Sequence, residues 1–235
     1  MPLVTAPLIE VSAATPRSRV LVLGLGGRAF PFVAGQAVLA ARHGERDRRP
    51  YSIACSPGHT ASTGRLELLV ATESGGVADL AALAPGALVD VDGPHGTFLF
   101  PDEPGEHRLL FVAGGTGIAP LRAMIDHALR HHPSRRMSLL YSARRADEFA
   151  FIPELREHAL AGRLELHQTV TRDEGTGWQG RRGRIGRREF EAVVHEPSST
   201  LCFVCGPPSM ILEAVSVLKT LGIPEVLIRT EQWGR

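Results

Sequence analysis

The hydrophobic pattern of the chain changes its period near residue 100. Before that point apolar residues come in brief runs: Val20–Leu23, Gln36–Leu39, Leu66–Val70 and Leu88–Val91. Stretches rich in Gly, Pro and Ser separate them, as turns separate short strands. Several short strands at close spacing predict an antiparallel barrel or sandwich. One short helix is expected over Ala78–Leu83. The polar segment Pro101–His107, with two prolines, reads as a linker. Beyond it, Leu109–Ala113 is a continuous apolar run, the mark of a strand buried on both faces. Ala119–Arg130 then sets Leu121, Met124, Ile125, Ala128 and Leu129 at helical spacing. Strands at Met137–Tyr141, Leu164–Val170, Leu201–Cys205 and Val226–Arg229 alternate with helices at Ala146–Leu160, Arg188–Val194 and Pro208–Leu221. Such alternation predicts a parallel sheet covered on both faces. The chain is therefore expected to be a β-barrel domain over residues 1–103 and an α/β domain over residues 104–235.

Length agrees with that division. At about 150 residues per domain, 235 residues make one large or two small domains. Both cores are large enough to need no disulfide or structural metal. Lys+Arg number 26 and Asp+Glu 25, so the net charge is +1, and nucleic acid is not the expected partner. Three cysteines cannot supply a four-thiolate zinc or iron–sulfur site, and an odd count argues against a disulfide framework. No apolar run reaches the roughly 18–20 residues of a membrane span. Met1–Thr15 lacks a basic stretch followed by an apolar one, so it does not read as a signal peptide. A reduced, cytoplasmic setting is the expectation.

Three segments carry candidate chemistry. Ala113-Gly114-Gly115-Thr116-Gly117-Ile118 joins a predicted strand to a helix. Glycines there let the backbone approach a diphosphate at a helix N-terminus. The spacing is not G-x-G-x-x-G, and a plain tight turn explains it as well. Arg49-Pro50-Tyr51-Ser52-Ile53 opens an apolar strand, where Pro50 enforces an extended backbone. Arg49 and Tyr51 share one face of such a strand, and Ser52 takes the other unless the strand kinks. An ordinary strand with an exposed arginine fits the same residues. Cys205-Gly206-Pro207-Pro208-Ser209-Met210 again joins strand to helix. Cys205 is either a thiol whose pKa the helix N-terminus lowers or a buried small hydrophobe. Cys202 and Cys205 lie three apart on a strand, so they face opposite ways and form neither a metal pair nor a redox pair. His131-His132 suits a helix C-terminus better than a metal site.

In order along the chain, Gly35-Gln36, Arg49-Pro50-Tyr51-Ser52, Gly93-Pro94-His95-Gly96, Gly114-Gly115-Thr116-Gly117, Cys205-Gly206-Pro207 and Glu231-Gln232-Trp233 resemble the ferredoxin–NADP reductase family of flavin-dependent reductases. The resemblance spans nearly the whole chain. It implies bound FAD, with FMN the alternative. Tyr51 would lie against the isoalloxazine, Ser52 near its N5, and Arg49 on the flavin phosphate, which suits a guanidinium fork. Pro50 and Val70 are carried over as further flavin-binding positions. The family's pyrophosphate element falls on Gly75-Gly76-Val77-Ala78-Asp79, where the usual serine is missing and Asp79 adds a negative charge. Gly115, Thr116 and Gly117 would receive the nicotinamide nucleotide's pyrophosphate, with Gly206, Pro207 and Met210 beside it. Cys205 would lie near the nicotinamide, Glu231 in the proton network, and Trp233 over the flavin face. Ser52, Cys205 and Glu231 are thus the expected catalytic residues.

Arg144 and Arg172 each follow a predicted strand, and two arginines at matched strand ends suit a 2′-phosphate. NADPH is therefore favoured over NADH. Arg181, Arg182 and Arg184 extend this pocket or face an acidic partner. The expected activity is hydride transfer from NADPH to bound flavin, then delivery of electrons to a ferredoxin, a flavodoxin or an oxygenase component. The alternatives are a free-flavin reductase, which Gly177-Trp178-Gln179-Gly180 also resembles, a non-catalytic electron-transfer subunit, and a nucleotide-binding module without turnover.

Overall fold

In a computed structural model of the chain, residues 3–72, 80–172 and 177–232 are described. Among the described residues, six strands precede residue 100: β1 (Val4–Thr15), β2 (Ser18–Gly24), β3 (Ala37–Arg42), β4 (Arg49–Ser52), β5 (Arg65–Ala71) and β6 (Leu88–His95). They form one antiparallel sheet in the order β4-β3-β6-β1-β2-β5. Alternate residues (Val4, Ala6 and Leu8; Leu21 and Leu23; Leu66, Leu68 and Val70) turn inward to one core. A bridge between Ile53 and Leu68 joins the two ends of this strand order. The Ala54 N–H donates to the Glu67 carbonyl beside it, at 2.8 Å. Between β4 and β5 lies a helix, α1 (Pro57–Thr63). Ser56 caps it by accepting from the His59 N–H, Pro57 suits its first turn, and Gly64 ends it in the left-handed region.

The remaining elements are β7 (Arg108–Gly114), α2 (Ile118–His131), β8 (Arg136–Ala143), α3 (Ile152–Leu160), β9 (Glu165–Val170), β10 (Arg181–Arg182), α4 (Arg187–Val193), β11 (Thr200–Gly206), α5 (Pro208–Thr220) and β12 (Ile228–Gln232). Their strands make a parallel sheet ordered β10-β9-β8-β7-β11-β12. Leu109, Phe111 and Ala113 of β7 pack with Met124 of α2 and Leu155 of α3. Leu110 and Val112 pack on the other face with Phe190 of α4 and Ile211 of α5. From β7 the chain turns one way to β8 and later returns on the other side as β11. The carboxyl ends of such strands border a crevice where α/β sheets take their ligands.

The two sheets share a core. Ala34, Ala54, Leu69, Phe98 and Phe100 from the first half join the cluster that contains Phe111, Met124 and Phe203. Among the described residues, no helix is long and apolar enough to cross a membrane.

Several expected elements differ. Helix α1 was not foreseen, because its Pro-Gly-His-Thr-Ala-Ser-Thr sequence buries only Thr60 and so shows no apolar stripe. The helix expected over Ala146–Leu160 is a 3-10 turn at Ala146–Glu148 followed by α3. Pro153 is tolerated only in a helix's first turn, so α3 begins at Ile152. The helix expected over Ala78–Leu83 lies partly outside the described residues, and Leu80–Ala82 is a 3-10 turn. The last strand starts at Ile228, after a 3-10 turn at Glu225–Leu227.

Candidate active site

A cleft of about 1530 Å³ runs between the two sheets. Arg49, Pro50, Tyr51 and Ser52 of β4 line one side, with Leu69 and Ala71 of β5. Gly115, Thr116, Arg144, Arg172, Pro207, Met210 and Glu231 line the other, at carboxyl ends of the parallel strands. Segments far apart in sequence thus converge on one crevice.

Its polar centre crosses the boundary between the sheets. The Ser52 hydroxyl donates to the Glu231 carboxylate at 3.3 Å. The Cys205 thiol lies 3.9 Å from the same oxygen. Parallel pairing puts Cys205 directly beside Glu231 in β11 and β12, which explains how the two meet. Burial raises the Glu231 carboxyl, hydrogen bonds from Ser52 and Cys205 pull it back, and the result is a pKa pushed up to about 7. The site can therefore hold or release a proton near neutral pH.

The thiolate option for Cys205 is not realised. Burial, then the neighbouring Glu231 carboxylate, drive its pKa well above the usual thiol value. Cys205 is buried and does not itself line the cleft. Cys202 packs on the opposite face of the same strand, as strand geometry requires.

The glycine turn is braced from below. Tyr141 is fully buried on β8, and its hydroxyl donates to the Gly115 carbonyl at 3.2 Å. The same hydroxyl accepts from the Ala150 N–H at 3.0 Å. Gly114 is required by close approach: a Cβ there would stand 2.7 Å from Met210 Sδ and 2.8 Å from Pro207 Cδ. Gly117 and Gly206 are buried and do not line the cleft. The Val70 side chain points into the antiparallel core, because alternation along β5 sends Leu69 and Ala71 to the cleft instead. Gly75, Gly76, Val77 and Trp233 lie outside the described residues.

Arg144 and Arg172 come together as their matched strand ends suggest. The Arg172 N–H donates to the Arg144 carbonyl at 2.7 Å, and both side chains are exposed on the cleft. Arg184 joins them, whereas Arg181 pairs with Glu189 of α4. Sequence reasoning missed Thr15, Arg17 and Ser18 at the β1–β2 turn, which also line the cleft. Arg17 reaches Glu148 across it at 3.7 Å. Only the length of β1 could have signalled that this turn overhangs the other sheet. Tyr141 was likewise unforeseen, since it reads from sequence as a strand-core aromatic.

These residues fit a flavin and a nicotinamide nucleotide. A flat tyrosine and an arginine face a glycine turn at a helix N-terminus, across a cleft of about 1530 Å³. An antiparallel sheet followed by a parallel α/β sheet, with the site between them, defines a two-domain flavin reductase. The comparisons with known proteins agree. Residues 5–100 match the oxidoreductase FAD-binding domain family and residues 111–216 the oxidoreductase NAD-binding domain family. The chain is 32% identical over 242 residues to ferredoxin–NADP reductase B of Sorangium cellulosum, covering 97% of this chain and 96% of that one. It is 32% identical over 222 residues to the reductase subunit of an Amycolatopsis aromatic O-demethylase, covering 92% of this chain and 64% of that subunit. It therefore spans slightly less than two thirds of that relative's length. Its fold superimposes on the Amycolatopsis cytochrome P450 reductase GcoB with a TM-score of 0.85 at 29% identity, over 98% of this chain and 70% of that one. The chain belongs to the ferredoxin–NADP reductase-like family of flavin oxidoreductases.

Proposed function

We propose that this reductase oxidises NADPH through bound FAD and delivers the electrons to a separate ferredoxin, flavodoxin or oxygenase component. One observation carries the reading. The Ser52–Glu231 hydrogen bond crosses from the Tyr51 wall to β12, the strand beside Cys205, inside a single cleft. Bound flavin would supply the ability to take two electrons from a nicotinamide and release them singly. The chain's own residues orient and neutralise. Tyr51 offers a flat face, and Arg49 a fork for a phosphate. Ser52 presents a hydroxyl at the domain boundary, and Glu231 holds a proton beside it. The Gly115–Thr116 turn lines the cleft at the N-terminus of α2, whose dipole suits a pyrophosphate. Arg144 and Arg172 favour a dianionic 2′-phosphate, which supports NADPH over NADH. Names of similar proteins, a ferredoxin–NADP reductase and an O-demethylase reductase subunit, support an iron–sulfur or oxygenase acceptor.

The antiparallel sheet is read as a closed barrel, supported by the Ile53–Leu68 bridge between its end strands. The domain boundary is read at residues 103 and 104, inside the segment between the two family matches. Three unpaired buried cysteines suit a reducing, cytoplasmic setting.

The test is anaerobic titration of the purified protein with NADPH and NADH, after its flavin is identified. Stoichiometric FAD, bleached at lower NADPH than NADH, is the expected result. A colourless protein that reduces added flavin would replace this reading with a free-flavin reductase. Bound flavin that neither nucleotide bleaches would remove the redox assignment.

A further inference from the structure

We propose that Arg122 is a positioning residue that locks the two domains behind the cleft and, through Ala54, holds Ser52 in register with Glu231. The inference deepens the function proposed above and rests on it. Arg122 stands on α2, the helix whose N-terminus follows the Gly115–Gly117 turn. Its side chain is only 16% exposed. The guanidinium bonds to both halves of the molecule. It donates through Nη1 to Glu67 of β5 at 2.6 Å and to the Ala54 carbonyl at 2.9 Å. It donates through Nη2 and Nε to Glu154 of α3, at 2.8 and 2.9 Å. The Phe151 ring lies 4.4 Å from the guanidinium carbon. Among the described residues, Phe151 is the one non-glycine with a positive φ, at 58°. Backbone in that region is held by its surroundings, and here it puts an aromatic face under the cation.

The position of Ala54 gives the contact its meaning. Ala54 follows Ser52 by two residues. The Ile53 N–H donates to the Gln36 carbonyl at 2.9 Å and the Ala54 N–H to the Glu67 carbonyl at 2.8 Å. Arg122 takes the remaining acceptor of Ala54, so the run after Ser52 is tied to the nucleotide helix. The same helix presses Met124 on Gly35, where a Cβ would come within 2.3 Å of Met124 Cε. One turn further on, Asp126 accepts from the Ser56 hydroxyl. Any shift between the domains is thereby transmitted to the Ser52–Glu231 contact, which crosses the same boundary. A planar fork with five donors can serve two carboxylates and a carbonyl at once, which a lysine ammonium cannot.

A buried ion network can also be mere structure, and the test separates the two. Wild-type protein is first shown to bind flavin and be bleached by NADPH; failure there overturns the proposed function. The clamp has its own readout, hydrogen exchange of the 52–60 amides in flavin-free protein. Arg122→Gln is expected to speed that exchange while β1 and β2 amides keep wild-type protection. It is expected to slow flavin reduction at saturating NADPH on the order of tenfold to a hundredfold, as small misplacements do. The NADPH concentration for half-saturation should move less than about threefold, and the charge-transfer band of nicotinamide stacked on flavin should fade. Arg122→Lys should restore little of either. If Arg122→Gln does not fold, the triple variant Glu67→Gln, Arg122→Met, Glu154→Gln removes the guanidinium together with the two carboxylates it pairs with. A folded triple variant with slow reduction supports the clamp. Wild-type reduction and exchange in either folded variant would overturn it.

Discussion

Three effects compete at the Glu231 carboxyl. Burial disfavours its charge, while hydrogen bonds from Ser52 and Cys205 favour it, and burial wins with a pKa of about 7. The sign of the stability effect follows. A carboxyl whose folded pKa lies above its unfolded value of about 4.5 binds its proton more tightly in the native state. Its contribution is complete below pH 4.5 and is lost as pH rises through 7. At about 1.4 kcal/mol per unit, the loss is at most ~3.5 kcal/mol. Glu231→Gln should therefore melt higher than wild type at pH 8.5 and alike at pH 4.5, and thermal melts across that range would show it. An equal offset at both pH values would deny Glu231 its raised pKa. Ser52→Ala should slow flavin reduction in stopped-flow traces and leave the melting temperature within about a degree, because a half-buried hydroxyl contributes little to folding. Unchanged traces would remove Ser52 from the reaction. The sequence shows these residues through the order of their motifs. It does not show the ionisation of Cys205, since helix N-termini lower thiol pKa values and burial raises them, and packing decides between the two.

Elements set what strand ends can reach. β8 and β9 end side by side because their register pairs Ala143 with Val170, which puts Arg144 and Arg172 on one rim. Arg172→Ala should raise KM for NADPH roughly tenfold or more, about the worth of one charged hydrogen bond, and leave KM for NADH nearly unchanged. Equal effects on both coenzymes would withdraw the case for NADPH. Tyr141→Phe tests the floor of the glycine turn. It leaves the Gly115 carbonyl and the Ala150 N–H without their shared partner in a buried setting, at about 1–3 kcal/mol. Urea melts should show that loss, and an unchanged midpoint would mean that water replaces the hydroxyl. These elements were legible for a simple reason. Strands buried on both faces read as largely apolar runs, and β7, β8 and β11 at the centre of the parallel sheet do so, whereas β9 (Glu-Leu-His-Gln-Thr-Val) is only half buried and mostly polar. Helix α1 was illegible because its stability comes from Ser56 and Gly64 at its ends rather than from an apolar face.

At the scale of the molecule, the relation between the two sheets is the least legible feature. The residues that join them have no period. Phe98 and Phe100 follow β6 in irregular backbone, so nothing in their spacing announces a partner. Yet Phe203 of β11 stacks on Phe100 with centroids 5.6 Å apart and on Phe111 at 5.5 Å, and meets Phe98 edge-on at 5.9 Å. Arg229 of β12 donates to the Leu99 carbonyl between them at 2.5 Å. A single apolar cluster thus draws side chains from both halves, and neither half can expose its share without the other losing cover. Such sharing predicts one cooperative unfolding transition for the whole chain rather than one for each domain. Phe100→Ala strikes the shared part. Removing a fully buried ring should cost about 3–5 kcal/mol, because the neighbours relax only partly into the space. More telling than the size of the loss is its form. With the ring gone, the antiparallel sheet keeps its own core of Leu8, Leu21, Leu23 and Leu68, and the parallel sheet keeps Leu110, Val112 and Leu140 on its far face. Each half is then held mainly by its own packing. Calorimetry should show one peak for wild type and a broadened or split transition for Phe100→Ala. A single sharp peak in the variant, merely shifted down, would mean that polar ties such as Arg229 to Leu99 couple the domains without the aromatic cluster.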